Sequence, residues 1–143
     1  MADFVFNVAK GAVAEKVRNN PTSLGVLVLK TTTESDANLI DRDSVAAIVA
    51  NSDEAEAEGY SRKTGITGTV TVDDTSDEVT VDIPDQTWTG VAAGETWTKL
   101  IIFVEEDSTD DDRIPLTAHD FSVSTDGSDI TAQIPSGGFF TAS

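Results

Sequence analysis

The sequence contains a single histidine, His119, and its neighbours are the first place to look for chemistry. Asp120 follows it, and Ser and Thr hydroxyls are abundant, so the residue types of a Ser–His–Asp triad are present. Adjacent residues on a strand point to opposite faces, however, so Asp120 is badly placed to orient the imidazole ring. The chain also lacks a Gly-x-Ser-x-Gly motif, the usual setting of a nucleophilic serine in α/β-hydrolases. We therefore expect a structural histidine and no enzyme activity.

Two acidic runs, residues 73–77 and 107–112, offer oxygen ligands for calcium. Neither has the order of an EF-hand loop, with its central Gly and terminal Glu. Both are predicted to be solvated turns, although the sequence leaves Ca²⁺ binding by these loops open. A transition-metal site is not expected with one His and no Cys. The Gly pair at Gly65 and Gly68 lacks the Lys-Ser or Lys-Thr of a phosphate loop. We therefore expect no metal and no cofactor.

The chain of 143 residues is strongly acidic, with 26 Asp and Glu against 9 Lys and Arg and a formal net charge of −17. Such a field argues against nucleic acid and anionic membranes as partners, because both are themselves negative. Three interpretations remain: solubility at high local concentration, a basic partner surface, or adaptation to high salt. The N-terminus lacks the basic region of a signal peptide, and no apolar run could span a bilayer. We therefore expect synthesis in the cytoplasm and no export through a standard signal peptide.

The N-terminal third has the patterns of two short helices and one strand. Apolar residues recur at intervals of three and four between residues 4 and 19, with Phe4 and Phe6 as a strand-like lead-in. The branched apolar run at residues 24–31 predicts a buried strand. A second helix, with Val45, Ile48 and Val49 turned inward, is predicted to be capped by Asp41 or Asp43.

From Ile66 onward the apolar period changes to two, which indicates strands. Turn-forming residues separate the first two alternating runs and predict a β-hairpin. The strand candidates are 69–73, 78–83, 99–104, one or two around 116–123, and 130–134. The stretches 87–89 and 96–98 flank a turn of small residues. The sequence therefore predicts a single domain over residues 1–143 with a mainly β fold of the α+β class. Its form is an antiparallel β-sandwich or barrel-like sheet with about two short helices in the N-terminal third.

Several stretches, in order along nearly the whole chain, match one family pattern. They are Met1–Gly11, Tyr60–Thr64, Val72–Asp77, Val81–Trp88, Ile114–Phe121, Asp126–Gln133 and the pair Phe139-Phe140. In these stretches the chain resembles a family of small structural proteins from tailed phages of actinobacteria. One departure is the segment Asp107–Arg113, which is shorter than the Gly-containing loop of that family. The shared motifs are strand edges and turns, so they indicate a lineage more directly than a chemistry.

The resemblance implies a virion component, first of all a capsid decoration (cement or minor capsid) protein that binds the major capsid protein. It also implies several copies on the particle, such as trimers. Eight residues are candidate contacts to the shell or between copies: Phe4, Phe6, Arg62, Lys63, Trp88, Trp97, Phe139 and Phe140. An ordinary place in the core is the alternative for each aromatic residue.

Three other functions stay open at this point. The first is a minor tail protein, which the same resemblance allows. The second is a module on the virion that binds carbohydrate or the host surface, and it requires Trp88 or Trp97 to be exposed so that the indole can stack on a sugar ring. The third is an enzyme that acts on the cell wall or on a polysaccharide. Paired carboxylates, its expected signature, cannot be recognised where acids are so abundant.

Overall fold

The computed structural model describes residues 3–30 and 34–142. Within them, the helices are α1 (Val13–Asn19), α2 (Asp36–Leu39) and α3 (Val45–Asn51). The strands are β1 (Phe4–Val5), β2 (Leu24–Lys30), β3 (Lys63–Ile66), β4 (Thr69–Asp73), β5 (Glu78–Asp82), β6 (Gln86–Trp88), β7 (Thr96–Glu105), β8 (Arg113–Ser124), β9 (Ile130–Ala132) and β10 (Phe140–Ala142). All strand pairings are antiparallel. The predicted mainly β fold with few helices is confirmed.

A five-stranded sheet with the order β1-β8-β7-β2-β3 forms the centre of the molecule. Strands β2 and β7 carry nearly unbroken runs of buried apolar residues. Successive side chains of a strand point to opposite faces, so both faces of this sheet are buried. One face packs against α2 and α3 through Leu39, Val45 and Ile48. The other face packs against α1 and two smaller sheets, β10-β5-β4 and β6-β9. The central sheet is therefore the middle of three layers.

A β-bulge in β7 decides which face its first residues join. The register shifts on both sides of Thr98, against β2 and against β8. An extra residue reverses the alternation of side chains, so Trp97 joins Leu100 in the core beneath the smaller sheets. Lys99 lies on the opposite face, where its ammonium is 2.8 Å from Asp120 and lies over the Phe4 ring.

Two predictions about the N-terminal third need correction. The first helix is confined to α1, because residues 7–9 form a 3₁₀ turn and Gly11 has a φ of +79°. The predicted caps Asp41 and Asp43 are wrong. Ser44 directly precedes α3 in an extended conformation, and its hydroxyl accepts the Ala47 N–H at 3.2 Å.

Several other local predictions agree with the structure, but one helix and two strands were missed. The hairpin of β4 and β5, the strand over residues 24–30 and the central strand β7 all form as predicted. Thr31 lies outside the described residues. The short helix α2 and the strands β3 and β10 have no counterpart among the predicted elements. No described helix exceeds seven residues, and none has the length and hydropathy of a membrane-spanning helix.

Candidate functional site

The two described ends of the chain meet at one concave surface, which we call the terminal groove. It consists of two hollows of about 340 and 280 Å³ that share Asp3, His119 and Phe139 in their walls. The larger hollow continues between Phe121 on β8 and the segment before β10. The smaller hollow runs between β1 and β10. Residues near both described ends therefore build this groove together.

Strand pairing and side-chain hydrogen bonds hold both walls of the groove in place. On the N-terminal side, Phe4 pairs with Ala118 in β8, and the Asp3 carboxylate accepts the Asp120 N–H at 2.7 Å. On the C-terminal side, Phe139 N–H donates to Val81 O at 2.9 Å, which fixes the entry into β10. Both walls of the groove are therefore fixed by contacts within the chain itself.

His119 stands between a carboxylate and a hydroxyl inside the groove. Its Nδ1 is 3.2 Å from Asp3, and its Nε2 is 2.8 Å from the Thr117 hydroxyl. This is the order of groups in a nucleophilic triad. Thr117 borders the smaller hollow but is only 2% exposed, so its hydroxyl is largely shielded from a substrate. The three groups tie β1 to β8, and Asp120 pairs with Lys99 on the other face, as the strand period predicted.

Trp88 and Trp97 lie in an aromatic cluster in the core. Their ring centroids are 5.6 Å apart, and Tyr60 lies within 5.8 Å of both. Trp88 is 1% exposed and Trp97 is 0% exposed, and each indole N–H has an acceptor within the chain. Neither indole can stack on a sugar in this conformation, so the condition that the carbohydrate-binding alternative requires is not met.

Arg62 and Lys63 have partners within the chain. The Arg62 guanidinium donates to both oxygens of Glu54 and to Asp110, at 2.6 to 3.1 Å. Burial alone would lower the pKa of Arg62, but these carboxylates raise it above the ordinary value. Lys63 donates to Thr87 O at 2.8 Å, and its ammonium lies over the Trp88 ring. Both cationic side chains therefore stabilise contacts between segments of the same chain.

The two acidic runs are stabilised by protein groups. Asp110 bridges Arg62 and Arg113 at 2.6 and 2.7 Å. Asp73 accepts backbone N–H groups of its own turn, including that of Thr75 at 2.8 Å. Across residues 3–30 and 34–142, no group of three or more His, Asp or Glu side chains is arranged to hold a metal ion.

The structure thus divides the eight predicted contact residues into two groups. Phe4, Phe139 and Phe140 line the terminal groove, and the buried Phe6 ring packs edge-to-face on Phe4. The remaining four, Arg62, Lys63, Trp88 and Trp97, belong to the aromatic cluster and its surroundings. Asp3 and His119 complete the groove but were not predicted as contacts. Comparison of the chain with protein-family models, curated proteins and solved structures finds no match.

Because both indoles are buried, we expect acrylamide to quench the tryptophan fluorescence of the folded chain weakly. Quenching should rise several-fold on denaturation, and the emission maximum should move to longer wavelength as the rings reach water. A Stern–Volmer titration in buffer and in denaturant measures both. Strong quenching of the folded protein would contradict the burial of the two indoles. It would also reopen the alternative of a carbohydrate-binding module.

A second prediction concerns the stability of the fold at low pH. It depends on Glu95, whose carboxylate accepts hydrogen bonds from several segments of the chain. Partial burial acts to raise the pKa of Glu95, but donors from Trp97, Ala57, Glu56 and Lys30 lower it below the ordinary value of 4.5. A carboxylate with a lowered folded pKa adds stability above its unfolded pKa and loses it as pH falls through the folded pKa.

We therefore expect the free energy of unfolding to fall as the pH drops below about 4.5. Glu95→Gln should lower stability at pH 7 and flatten this acid dependence. Glu58→Gln, at an exposed carboxylate, is the matched control and should leave the curve unchanged. Urea unfolding from pH 3 to 7 measures the effect. Equal curves for the wild type and Glu95→Gln would contradict it.

Proposed function

We propose that this chain is a non-enzymatic structural protein of a phage virion, a decoration protein that binds the major capsid protein on the outside of the shell and stabilises it. The terminal groove is the observation that supports the proposal most directly. Residues near both described ends, Phe4 and Phe140, bring partly exposed aromatic rings to one concave surface. A protein that clamps onto a shell needs such a preformed, partly apolar contact.

The charge of the chain supports the same function. A net charge of −17 keeps copies soluble and apart before assembly, because they repel one another. The same charge favours a shell surface that carries basic residues at the docking position. In the described part of the chain, six of the nine Lys and Arg side chains form salt bridges with acids of the same chain, as in the Lys16–Glu106 and Arg113–Glu105 pairs. The remaining acids therefore dominate the surface that a partner meets.

The edges of the sheets support assembly of several copies. Strands β1 and β10 end their respective sheets, and both border the terminal groove. Edge strands present unpaired backbone groups that another chain can use. Neighbouring copies on a shell, as in a trimer, could therefore be joined at the same place where each copy meets the capsid protein.

A cryo-EM reconstruction of the purified virion that encodes this chain tests the function. We expect regular copies on the outer shell, at local three-fold or capsomer positions, with the terminal groove against the capsid protein. Density confined to the tail would replace the decoration role with that of a minor tail protein. Absence of the chain from the particle would overturn the structural function altogether.

A further inference from the structure

The wall of the terminal groove includes an open edge of the central sheet. On the side away from β7, β1 pairs with β8 only at Thr117 and Ala118. From Phe121 to Ser124, no strand in the described part of the chain pairs with that side of β8. An edge of this kind can accept an extended segment of another protein through backbone hydrogen bonds.

The larger hollow of the groove lies directly beside this edge and is mainly apolar. Leu100, Phe121, Ile134 and Phe139 contribute to its walls. Its volume of about 340 Å³ is that of a small-ligand site, which is ample room for a branched apolar side chain. The opposite wall is held at both ends, because Ile134 N–H donates to the Asp85 carboxylate at 2.7 Å and Phe139 N–H to Val81 O at 2.9 Å.

The charges around the groove indicate which charge a bound segment should carry. Asp3 and Asp120 carry carboxylates at its margin, and no Lys or Arg is among the described residues that line either hollow. The Lys99 ammonium pairs with Asp120 at 2.8 Å, but Lys99 is 0% exposed and so does not face a bound segment. A segment with basic side chains is therefore complementary to this surface, and an acidic one is repelled.

Side chains along β8 alternate between the two faces of the sheet, so the apolar wall of the groove and the Asp120 carboxylate lie on opposite faces. Phe121 and Val123 pack toward the core beneath the smaller sheets, on the groove side, and Asp120 points to the opposite face of the sheet. A strand added beside β8 would also alternate, with every second side chain directed to the groove. Apolar residues would enter the hollow, and the residues between them would lie near Asp120.

We infer that the terminal groove and the open edge of β8 together bind an extended segment of a partner protein in which apolar and basic residues alternate. This inference deepens the proposed function, and it rests on that function only for the identity of the partner as the major capsid protein. The chemistry of the segment follows from the groove itself.

The direct test uses a blocked heptapeptide that alternates valine with lysine, titrated into the isotope-labelled full chain and followed by NMR. We expect amide shifts at His119, Phe121, Ser122 and Phe139. A heptapeptide that alternates valine with glutamate should produce none. Shifts that spread over the acidic surface, or equal effects of both peptides, would overturn the inference.

Matched variants separate the groove from the overall charge. Gln133→Lys and Ile134→Lys each place a cation in the groove wall, and Val72→Lys adds the same charge on the exposed β4–β5 hairpin. We expect the two groove variants to weaken binding of the lysine peptide about tenfold and Val72→Lys to change it less than about twofold. Because Gln133 is exposed, its variant decides the test if Ile134→Lys does not fold. Equal weakening by all three variants would overturn the groove as the site.

Binding to purified capsid shells then separates this inference from the proposed function. We expect wild type and Val72→Lys to bind shells and Gln133→Lys to lose binding. If the lysine peptide binds in the groove but shells do not bind the wild type, the result contradicts the decoration function and supports the groove as a binding site. If shells bind wild type and Gln133→Lys equally and the peptide does not bind, the groove inference fails and the decoration function stands.

Discussion

Trp97→Ala is expected to lower the free energy of unfolding by about 3–5 kcal/mol, the range for truncating a fully buried aromatic residue. Trp97 is 0% exposed and contacts Tyr60, Trp88 and Phe121 at centroid distances of 5.5 to 6.2 Å. Alanine would leave a cavity between the central sheet and the smaller sheets, where these rings meet. It would also remove the indole N–H that donates to Glu95 at 3.1 Å.

Urea unfolding followed by far-UV circular dichroism measures the loss. Trp97→Phe fills part of the cavity and should cost clearly less than the alanine variant. Val72→Ala, at a side chain that is 57% exposed, is the surface control and should stay within about 0.5 kcal/mol of wild type. A Trp97→Ala variant that unfolds with wild-type stability would show that this ring is not part of the core.

Gly138→Ala is expected to destabilise the chain by about 2–4 kcal/mol, because backbone strain and steric overlap act together. Gly138 has a φ of +87°, which residues with a Cβ rarely adopt. A Cβ built there would lie 2.3 Å from Val81 O, a backbone atom that cannot move aside. The same variant should displace Phe139 and with it one wall of the terminal groove.

The neighbouring glycine provides an unusually close control for this prediction. Gly137 has no atom within 4 Å of its would-be Cβ and no positive φ. Gly137→Ala should therefore be neutral or raise stability by up to about 1 kcal/mol, since alanine restricts the unfolded chain. The melting temperatures of Gly138→Ala and Gly137→Ala, compared with wild type, test this prediction. Similar melting temperatures for the two would contradict the close approach of Gly138 to β5.

Local sequence patterns predicted many of the regular elements, although α2, β3 and β10 were missed. The β4–β5 hairpin was predictable because branched apolar residues alternate there around a turn signal. The central strand β7 was predictable because it contains an unbroken apolar run at residues 100–104. Alternation identifies the positions that share a face, but it does not show whether another layer covers that face. Val72 illustrates the difference, since it follows the apolar period and is still 57% exposed.

The candidate site depends on long-range pairings that no local pattern contains. His119 was evident as the only histidine, and Thr117 lies on its face by the strand period. Asp3, however, reaches the ring only because β1 returns to pair with β8. Lys99 shows the same limit, because its burial depends on acids and on the Phe4 ring, which belong to other elements. The burial of both tryptophans likewise required knowledge of the small sheet formed by β6 and β9.

The strand order of the central sheet has a consequence for the speed of folding. Strands β7 and β8 are neighbours in sequence, whereas Leu24 pairs with Val104 and Phe4 with Ala118. Non-local pairings must close long loops before they gain contacts, so the chain should refold in roughly milliseconds to seconds. The β7–β8 hairpin can form first and act as the nucleus. Substitutions within it should then slow refolding, while substitutions in β1 or β10 should mainly speed unfolding.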